Sequence, residues 1–214
     1  MIHFPPWTNS IRSLLPVVVV GGITYVTMLF WYGASPLTTD VGYAPEQPVP
    51  FSHALHNGQM GIDCRYCHTA VETAAHSNVP TTETCMNCHE RIKTKSPQLQ
   101  PVRDSWATGL PVNWVKVHDL PDFVYFNHSA HVSRNVGCVS CHGQINQMDR
   151  VQQVSALSMG WCLDCHRAPE QHLRPQENVT DMYYRPAEGQ LVVGARIKEQ
   201  NHINPPQDCS TCHR

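Results

Sequence analysis

The longest apolar stretch of the chain lies near its amino terminus. Residues 13–34 contain no charged side chain, and the run 14–31 (LLPVVVVGGITYVTMLFW) is largely apolar. A helix of about 20 such residues crosses a hydrocarbon core about 30 Å thick. Trp31 and Tyr32 end the run, where aromatic rings suit the membrane interface. We therefore predict a transmembrane helix over residues 13–34.

The same stretch is longer than the apolar region of a secretory signal peptide, which spans about 7–15 residues. Pro36 also makes residues 34–36 a poor cleavage site, so we predict an anchor that stays uncleaved. Arg12 precedes the run and the next lysine or arginine is Arg65. The positive-inside rule then places residues 1–12 in the cytoplasm and the rest of the chain outside.

After the anchor the hydrophobic pattern is weak. Residues 35–50 are rich in proline, threonine and small side chains and are predicted to be a linker. The stretch 97–125 is predicted to be an ordered connector, and 167–208 an irregular arm. The one segment that favours a strand is 190–194 (QLVVG), which predicts a short hairpin edge.

Composition explains why the pattern is weak. The chain has 214 residues, a net charge of −2 and only 15% charged residues, which excludes a strongly basic nucleic-acid binder and a charge-rich disordered tail. It has 10 cysteines and 14 histidines. This high content of cysteine and histidine predicts that something other than apolar side chains holds the fold together.

Every cysteine belongs to a Cys-x-x-Cys-His motif, the attachment sequence of c-type haem. Two thiols at this spacing can each form a thioether to one haem vinyl group, and the adjacent imidazole becomes the proximal iron ligand. We number the motifs 1 to 5 in chain order. The thioether cysteines are Cys64, Cys67, Cys85, Cys88, Cys138, Cys141, Cys162, Cys165, Cys209 and Cys212, and the proximal histidines are His68, His89, His142, His166 and His213.

Two other uses of paired cysteines fit less well. A disulfide scaffold would not require a histidine after every second cysteine. Zinc ribbons pair such motifs two by two, and five is an odd number. Five covalently bound c-type haems are therefore expected, and because this attachment takes place outside the cytoplasm, the motifs support the orientation of the anchor.

The motif region contains a duplication. Residues 51–56 (FSHALH) precede motif 1, and residues 126–131 (FNHSAH) precede motif 3 at nearly the same distance. We therefore predict two-haem units at 51–95 and 126–170, followed by a single terminal haem at 209–213. The predicted fold is a multihaem cytochrome c, mostly irregular, with short α-helices packed around five haems. Together with the terminal haem, the units form one periplasmic domain over residues 51–214.

Histidines outside the motifs are candidates for the distal position on each iron. An iron with two protein ligands only passes electrons, whereas an open site allows chemistry. His3 is excluded because it precedes the anchor, and His172 and His202 are expected to be ordinary polar residues. The distal ligands are predicted to be His53, His56, His118, His128 and His131, with Met159, Met148 and His76 as further candidates. Five bis-histidine haems, or four with one His/Met haem, both fit this set.

Several of these stretches resemble a known family. They are 63–68 (DCRYCH), 84–89 (TCMNCH), 117–131 (VHDLPDFVYFNHSAH), 159–167 (MGWCLDCHR) and 209–214 (CSTCHR). The paired-histidine units resemble class III multihaem cytochromes c. The chain as a whole resembles the membrane-anchored pentahaem cytochrome c subunit of alternative complex III, and residues 117–131 are the most specific part of that resemblance.

The resemblance implies a bacterial inner-membrane complex that oxidises quinol and reduces a cytochrome c or a terminal oxidase. It implies an iron–sulfur protein, polytopic quinol-binding subunits and a monohaem cytochrome c as partners. It also supports His118, favours Met159 as a ligand of the fourth haem, and needs no histidine at position 76.

The leading hypothesis is therefore an electron-transfer subunit on the outer face of the cytoplasmic membrane, without a catalytic site of its own. One alternative is a multihaem reductase of a small oxyanion, which would expose one iron. The other is a stand-alone membrane quinol dehydrogenase, which would need a quinol pocket beside the anchor.

Overall fold

The computed structural model describes residues 4–33, 35 and 39–213. His3 and part of the predicted linker, including Pro36, lie outside the described residues. The chain divides into two compact units, Met1–Asp40 and Val41–Arg214.

The first unit contains a single long helix, α1, over Thr8–Gly33. It begins before the predicted residue 13, and Pro16 is consequently an interior position of the helix. None of its side chains is buried within the protein. Its length and apolar composition are those of a membrane anchor or of a signal sequence.

The second unit consists of short helices joined by irregular segments. Many of these helices begin at a residue that caps the free amides of the first turn, such as Asp63, Asn127, Ser158 and Asp208. The helices are α2 (Cys64–Cys67), α3 (Thr82–His89), α4 (Gln100–Thr108), α5 (His128–Val132), α6 (Val139–His142), α7 (Met159–Arg167), α8 (Gln190–Gln200) and α9 (Cys209–Cys212), with a π-helical turn at Ala54–Gln59 and 3₁₀ turns at Pro97–Leu99, Ile145–Gln147, Pro169–Gln171 and Gln176–Asn178.

The described part of the chain contains no β-strand. Two isolated bridges pair Val124 with His213 and Val136 with Leu173. The predicted class, a mostly irregular and helical domain, is confirmed in this respect, and the predicted hairpin edge at 190–194 is wrong because these residues begin α8.

Tertiary packing explains why this segment is helical. Val193, Gly194 and Ile197 lie on one face of α8 and are buried. That face packs against the 3₁₀ turn Pro169–Gln171. The approach is so close that a β-carbon at Gly194 would lie 1.9 Å from the carbonyl oxygen of Glu170. A helical spacing of apolar residues thus outweighs the β propensity of two valines.

The apolar core also lies in the arm that was predicted to be irregular. Leu173, Val193, Ile197 and Ile203 form a buried cluster, with Val136 packed against it. The arm is therefore an ordered element of the fold rather than a loose connection to motif 5.

The two predicted two-haem units are joined by hydrogen bonds in both directions. From the first unit, Ser52 donates to Asp149 at 2.6 Å and the Ala54 amide donates to the carbonyl of Met148 at 3.0 Å. From the second unit, the His128 amide donates to the carbonyl of Ala75 at 3.0 Å. Each unit thus docks the start of its paired-histidine segment onto the loop that follows the first haem motif of the other.

Candidate haem-binding sites

Each Cys-x-x-Cys-His motif lies on a short helix. The two cysteines are three residues apart, and so stand about one turn apart on the same face. In motif 1 the Asp63 side chain accepts the Arg65 amide at 2.8 Å, and in motif 5 the Asp208 side chain accepts the Thr211 amide at 3.0 Å. All ten cysteines lie in the described region and none forms a disulfide. The helices thus present paired thiols in the arrangement that two thioether bonds to one haem require.

The imidazoles that follow the cysteines are oriented by backbone carbonyl groups. In four of the five motifs Nδ1 lies within hydrogen-bonding distance of a carbonyl oxygen, which selects the tautomer that leaves the Nε2 lone pair free. The pairs are His68 with Asn78 at 2.9 Å, His89 with Ile92 at 3.0 Å, His166 with Pro206 at 2.6 Å and His213 with Phe123 at 3.2 Å. This is the orientation that iron ligation through Nε2 needs.

His142 of motif 3 is different, since its Nδ1 is buried without a hydrogen-bond partner. Burial, followed by the nearby His118 and His128, lowers its pKa to about 3. The ring is therefore neutral at pH 7, and a neutral imidazole is the form that binds a metal.

The duplicated segments have the same ring geometry. The Phe51 ring meets His53 edge-on, with centroids 4.9 Å apart and an interplanar angle of 86°, and stacks on His56 at 4.3 Å and 25°. The corresponding values for Phe126 are 4.7 Å and 84° to His128, and 4.5 Å and 32° to His131. One phenylalanine thus fixes both histidines of each pair, and the internal repeat extends to side-chain geometry.

The second histidine of each pair faces the proximal histidine of the second motif in its own unit. The ring centroids of His56 and His89 are 6.2 Å apart, and those of His131 and His166 are 6.1 Å apart. Metal–nitrogen bonds of about 2 Å on both sides of one ion would separate two imidazole centroids by about 6 Å. The residues therefore fit two axial histidines on one iron at motifs 2 and 4.

Three further predicted ligands surround motifs 1 and 3. The His128 ring lies 6.5 Å from His142 with an interplanar angle of 15°, and the His118 ring lies 4.5 Å from His142 at 72°. The Nε2 atom of His118 and the Nδ1 atom of His53 are buried without partners. Burial, and then the neighbouring His68 and His56, lowers the pKa of His53 to about 4. Which of these rings serves which iron stays a prediction.

Of the three further candidates, Met148 is partly buried, whereas the other two are exposed. His76 is solvent-exposed and follows Ala75, whose carbonyl lies 3.2 Å from Nδ1 of His128. Met159 begins α7 with 67% of its surface exposed. His131 faces His166 of motif 4, and Met159 as a ligand of the fourth haem stays a prediction.

Sequence reasoning missed one charged residue near the motifs. Arg174 is only 4% exposed, and its Nε atom is buried without a hydrogen-bond partner. It packs against Gly137, immediately before Cys138, and donates to the carbonyl of Asp181 at 2.7 Å. A lone arginine in an irregular segment carries no sequence pattern that would have indicated this position.

Comparison with known proteins identifies the carboxy-terminal half of the motif region. Residues 124–214 match the family described as cytochrome c7 and related cytochrome c. This part of the chain is similar to the multihaem cytochromes of that family. It contains motifs 3, 4 and 5, together with His128 and His131.

A second comparison concerns a curated protein of Nitratidesulfovibrio vulgaris, the "menaquinone reductase, multiheme cytochrome c subunit". The two sequences are 34% identical over 98 residues, which is 45% of this chain and 46% of that protein. The match thus covers about half the length of the relative. Both comparisons indicate multihaem cytochrome electron transfer.

Proposed function

We propose that this protein carries electrons through five covalently attached c-type haems as a subunit of a membrane-bound quinol oxidoreductase. The observation that carries the proposal is the pairing of His56 with His89 and of His131 with His166 at centroid distances of 6.2 and 6.1 Å. An iron held between two imidazoles has no position for a substrate, so a pair of this kind passes electrons and does no other chemistry.

When bound, each haem supplies a one-electron couple at its iron. The protein contributes the remaining functions. The cysteine pairs fix each ring covalently, the backbone carbonyls hold imidazole Nδ1 protons in place, and Phe51 and Phe126 restrict the paired histidines. These constraints would hold the histidine side chains in place when haem is bound.

Membrane attachment is the second part of the proposal. Helix α1 has the length and apolarity to anchor the motif domain to the outer face of the cytoplasmic membrane. The similarity to a menaquinone reductase subunit supports work in a membrane complex. The resemblance to the pentahaem subunit of alternative complex III supports a complex with an iron–sulfur protein, polytopic quinol-binding subunits and a monohaem cytochrome c.

A second candidate follows from the printed name of the relative. A subunit of a menaquinone reductase delivers electrons toward the quinone rather than away from it. The same chain of haems would serve either direction, because the protein only conducts. The two candidates differ in the partner protein at each end of the haem series. They also differ in whether the complex oxidises quinol or reduces quinone.

The test is purification of the native protein from membranes in mild detergent, with identification of partner subunits and low-temperature EPR of the oxidised sample. We expect large partner subunits, only low-spin haem signals, and net oxidation of a menaquinol analogue. Net reduction of the quinone by the same complex would favour the second candidate. A stoichiometric high-spin signal that responds to nitrite would contradict pure electron transfer, and a quinol-oxidising single subunit would favour the stand-alone dehydrogenase.

A further inference from the structure

We propose that the five haem motifs lie in the spatial order 2–1–3–4–5, so that motifs 2 and 5 form the two ends of the electron path. The proposal rests on the proposed function and specifies its route. The order differs from the order along the chain, because the first motif of each two-haem unit meets the first motif of the other.

The contact between motifs 1 and 3 is made through the segment 179–180. Thr180 donates to Asp63, the residue before Cys64, at 2.9 Å. The Cys138 amide donates to the carbonyl of Val179 at 2.9 Å. One dipeptide therefore bonds both to Cys138 and to the residue before Cys64. The Cys64 and Cys138 side chains are also neighbours, so the first cysteines of motifs 1 and 3 lie close together.

Reciprocal docking of the two units supports the same contact. The loop after His68 accepts the His128 amide through Ala75, and the loop after His142 accepts the Ala54 amide through Met148. These two hydrogen bonds relate the units in an approximately symmetric way, with motifs 1 and 3 at the centre. The second motif of each unit must then lie farther from the junction.

Motif 2 joins this pair through motif 1. The Asn87 side chain of motif 2 donates to the hydroxyl group of Tyr66 in motif 1 at 3.2 Å. On its other side, α3 packs against α4, and the segment 90–95 that follows motif 2 is exposed throughout. Motif 2 therefore lies at a solvent-facing end of the series.

Motifs 3 and 4 share helix α5. His128 and His131 lie three residues apart on this helix and face His142 and His166 at 6.5 and 6.1 Å. The proximal histidines of both motifs therefore face one turn of helix α5, which makes motifs 3 and 4 neighbours.

Motif 5 continues from motif 4. Nδ1 of His166 lies 2.6 Å from the carbonyl of Pro206, just before motif 5. The Tyr125 amide donates to the carbonyl of Cys212 at 2.9 Å, which ties motif 5 to the segment leading into α5. Cys209 is exposed, so motif 5 is the second solvent-facing end.

The order can be tested by injecting an electron at one end. In the haem-loaded, full-length protein, a Lys95→Cys variant labelled with a photoactive ruthenium bipyridyl complex would inject electrons beside motif 2. The substitution His131→Met would raise the potential of the fourth haem and make it the electron trap. Flash absorption then reports arrival at the trap.

Removal of motif 1 by Cys64→Ala and Cys67→Ala should abolish fast arrival at the trap, because motif 1 lies between motifs 2 and 3. The matched control removes motif 5 by Cys209→Ala and Cys212→Ala and should leave arrival unchanged. Fast arrival of electrons at the trap without motif 1 would overturn the proposed order. If the haems followed the chain order, electrons would pass from the second haem directly to the third and would not need the first.

A measurement without haem removal guards against misfolded variants. In the fully reduced, diamagnetic protein, nuclear Overhauser effects should connect protons of the first and third haems, and none should connect the second with the third. The reverse pattern would overturn the order while leaving the proposed function intact. Fewer than five haems by pyridine haemochrome assay, or high-spin iron, would instead contradict the proposed function.

Discussion

At the scale of single residues, backbone carbonyl groups hold most of the ligand imidazoles. The acceptors of His68, His166 and His213 lie 10, 40 and 90 residues away in sequence, so only tertiary folding brings them together. The sequence therefore predicts which histidines are ligand candidates, through the motifs and the repeat. It does not predict their partners, because an irregular backbone gives no periodic pattern to read.

The equivalence of His56 and His131 leads to a prediction. His56→Met and His131→Met should each convert one haem to His/Met ligation and raise the midpoint potential of that haem alone. Redox titration followed optically, with EPR to confirm low-spin iron, measures the effect. A change in several haems at once, or no change, would show that these histidines are not distal ligands.

Arg174 is a buried charged side chain beside motif 3. A buried positive charge beside motif 3 favours the reduced iron over the oxidised iron. Replacement by methionine should lower the midpoint potential of one haem, by on the order of tens of millivolts. Arg185→Met, at an exposed position, is the matched control and should leave all midpoints unchanged.

At the scale of elements, α8 shows where local sequence reasoning fails. Its valines favour a strand, yet the buried stripe of Val193, Gly194 and Ile197 packs against Pro169–Gln171 as a helix. Three of the five motif helices carry a local signal, because Asp63, Ser158 and Asp208 directly precede them and cap their first turns. The surface against which α8 packs, by contrast, is distant in sequence.

The close approach at Gly194 gives a test of this packing. Gly194→Ala would place a methyl group 1.9 Å from the Glu170 carbonyl oxygen and should destabilise the protein by about 1–3 kcal/mol. Gly160→Ala in α7, where nothing lies within 4 Å, should be neutral or stabilise by up to about 1 kcal/mol. Chemical denaturation of the two haem-loaded variants measures the difference, and equal effects would argue against the α8 contact.

At the scale of the whole molecule, polar hydrogen bonds join segments that are distant in sequence. Asp63 caps α2 and also accepts Thr180 from the carboxy-terminal arm at 2.9 Å. The hydrogen bond from the Arg65 side chain is the largest cause that lowers the Asp63 pKa to about 2. The duplication predicted two units, but the joints between them involve loop residues with no sequence signal.

The Asp63 joint should be sensitive to acid. A carboxylate whose pKa is lowered on folding contributes stability above its ordinary pKa of 3.8, and this contribution is lost as pH falls toward about 2. Asp63→Asn should lower the stability at pH 7 by about 1 kcal/mol or more and flatten its dependence on pH below about 4. Asp208→Asn, at a fully exposed cap with only local bonds, should have a smaller effect. Acid titrations followed by near-UV circular dichroism compare the two variants.

The position of the apolar core has a consequence for biogenesis. Leu173, Val193, Ile197 and Ile203 all belong to the arm between motifs 4 and 5, and motif residues contribute nothing to this cluster. The arm can therefore fold around its own apolar core before haem is attached to the cysteine pairs. Motif helices of four residues, by contrast, acquire their apolar neighbours only when the porphyrins arrive. We therefore expect maturation to add the cofactors to a chain that already holds one folded element near its carboxy terminus.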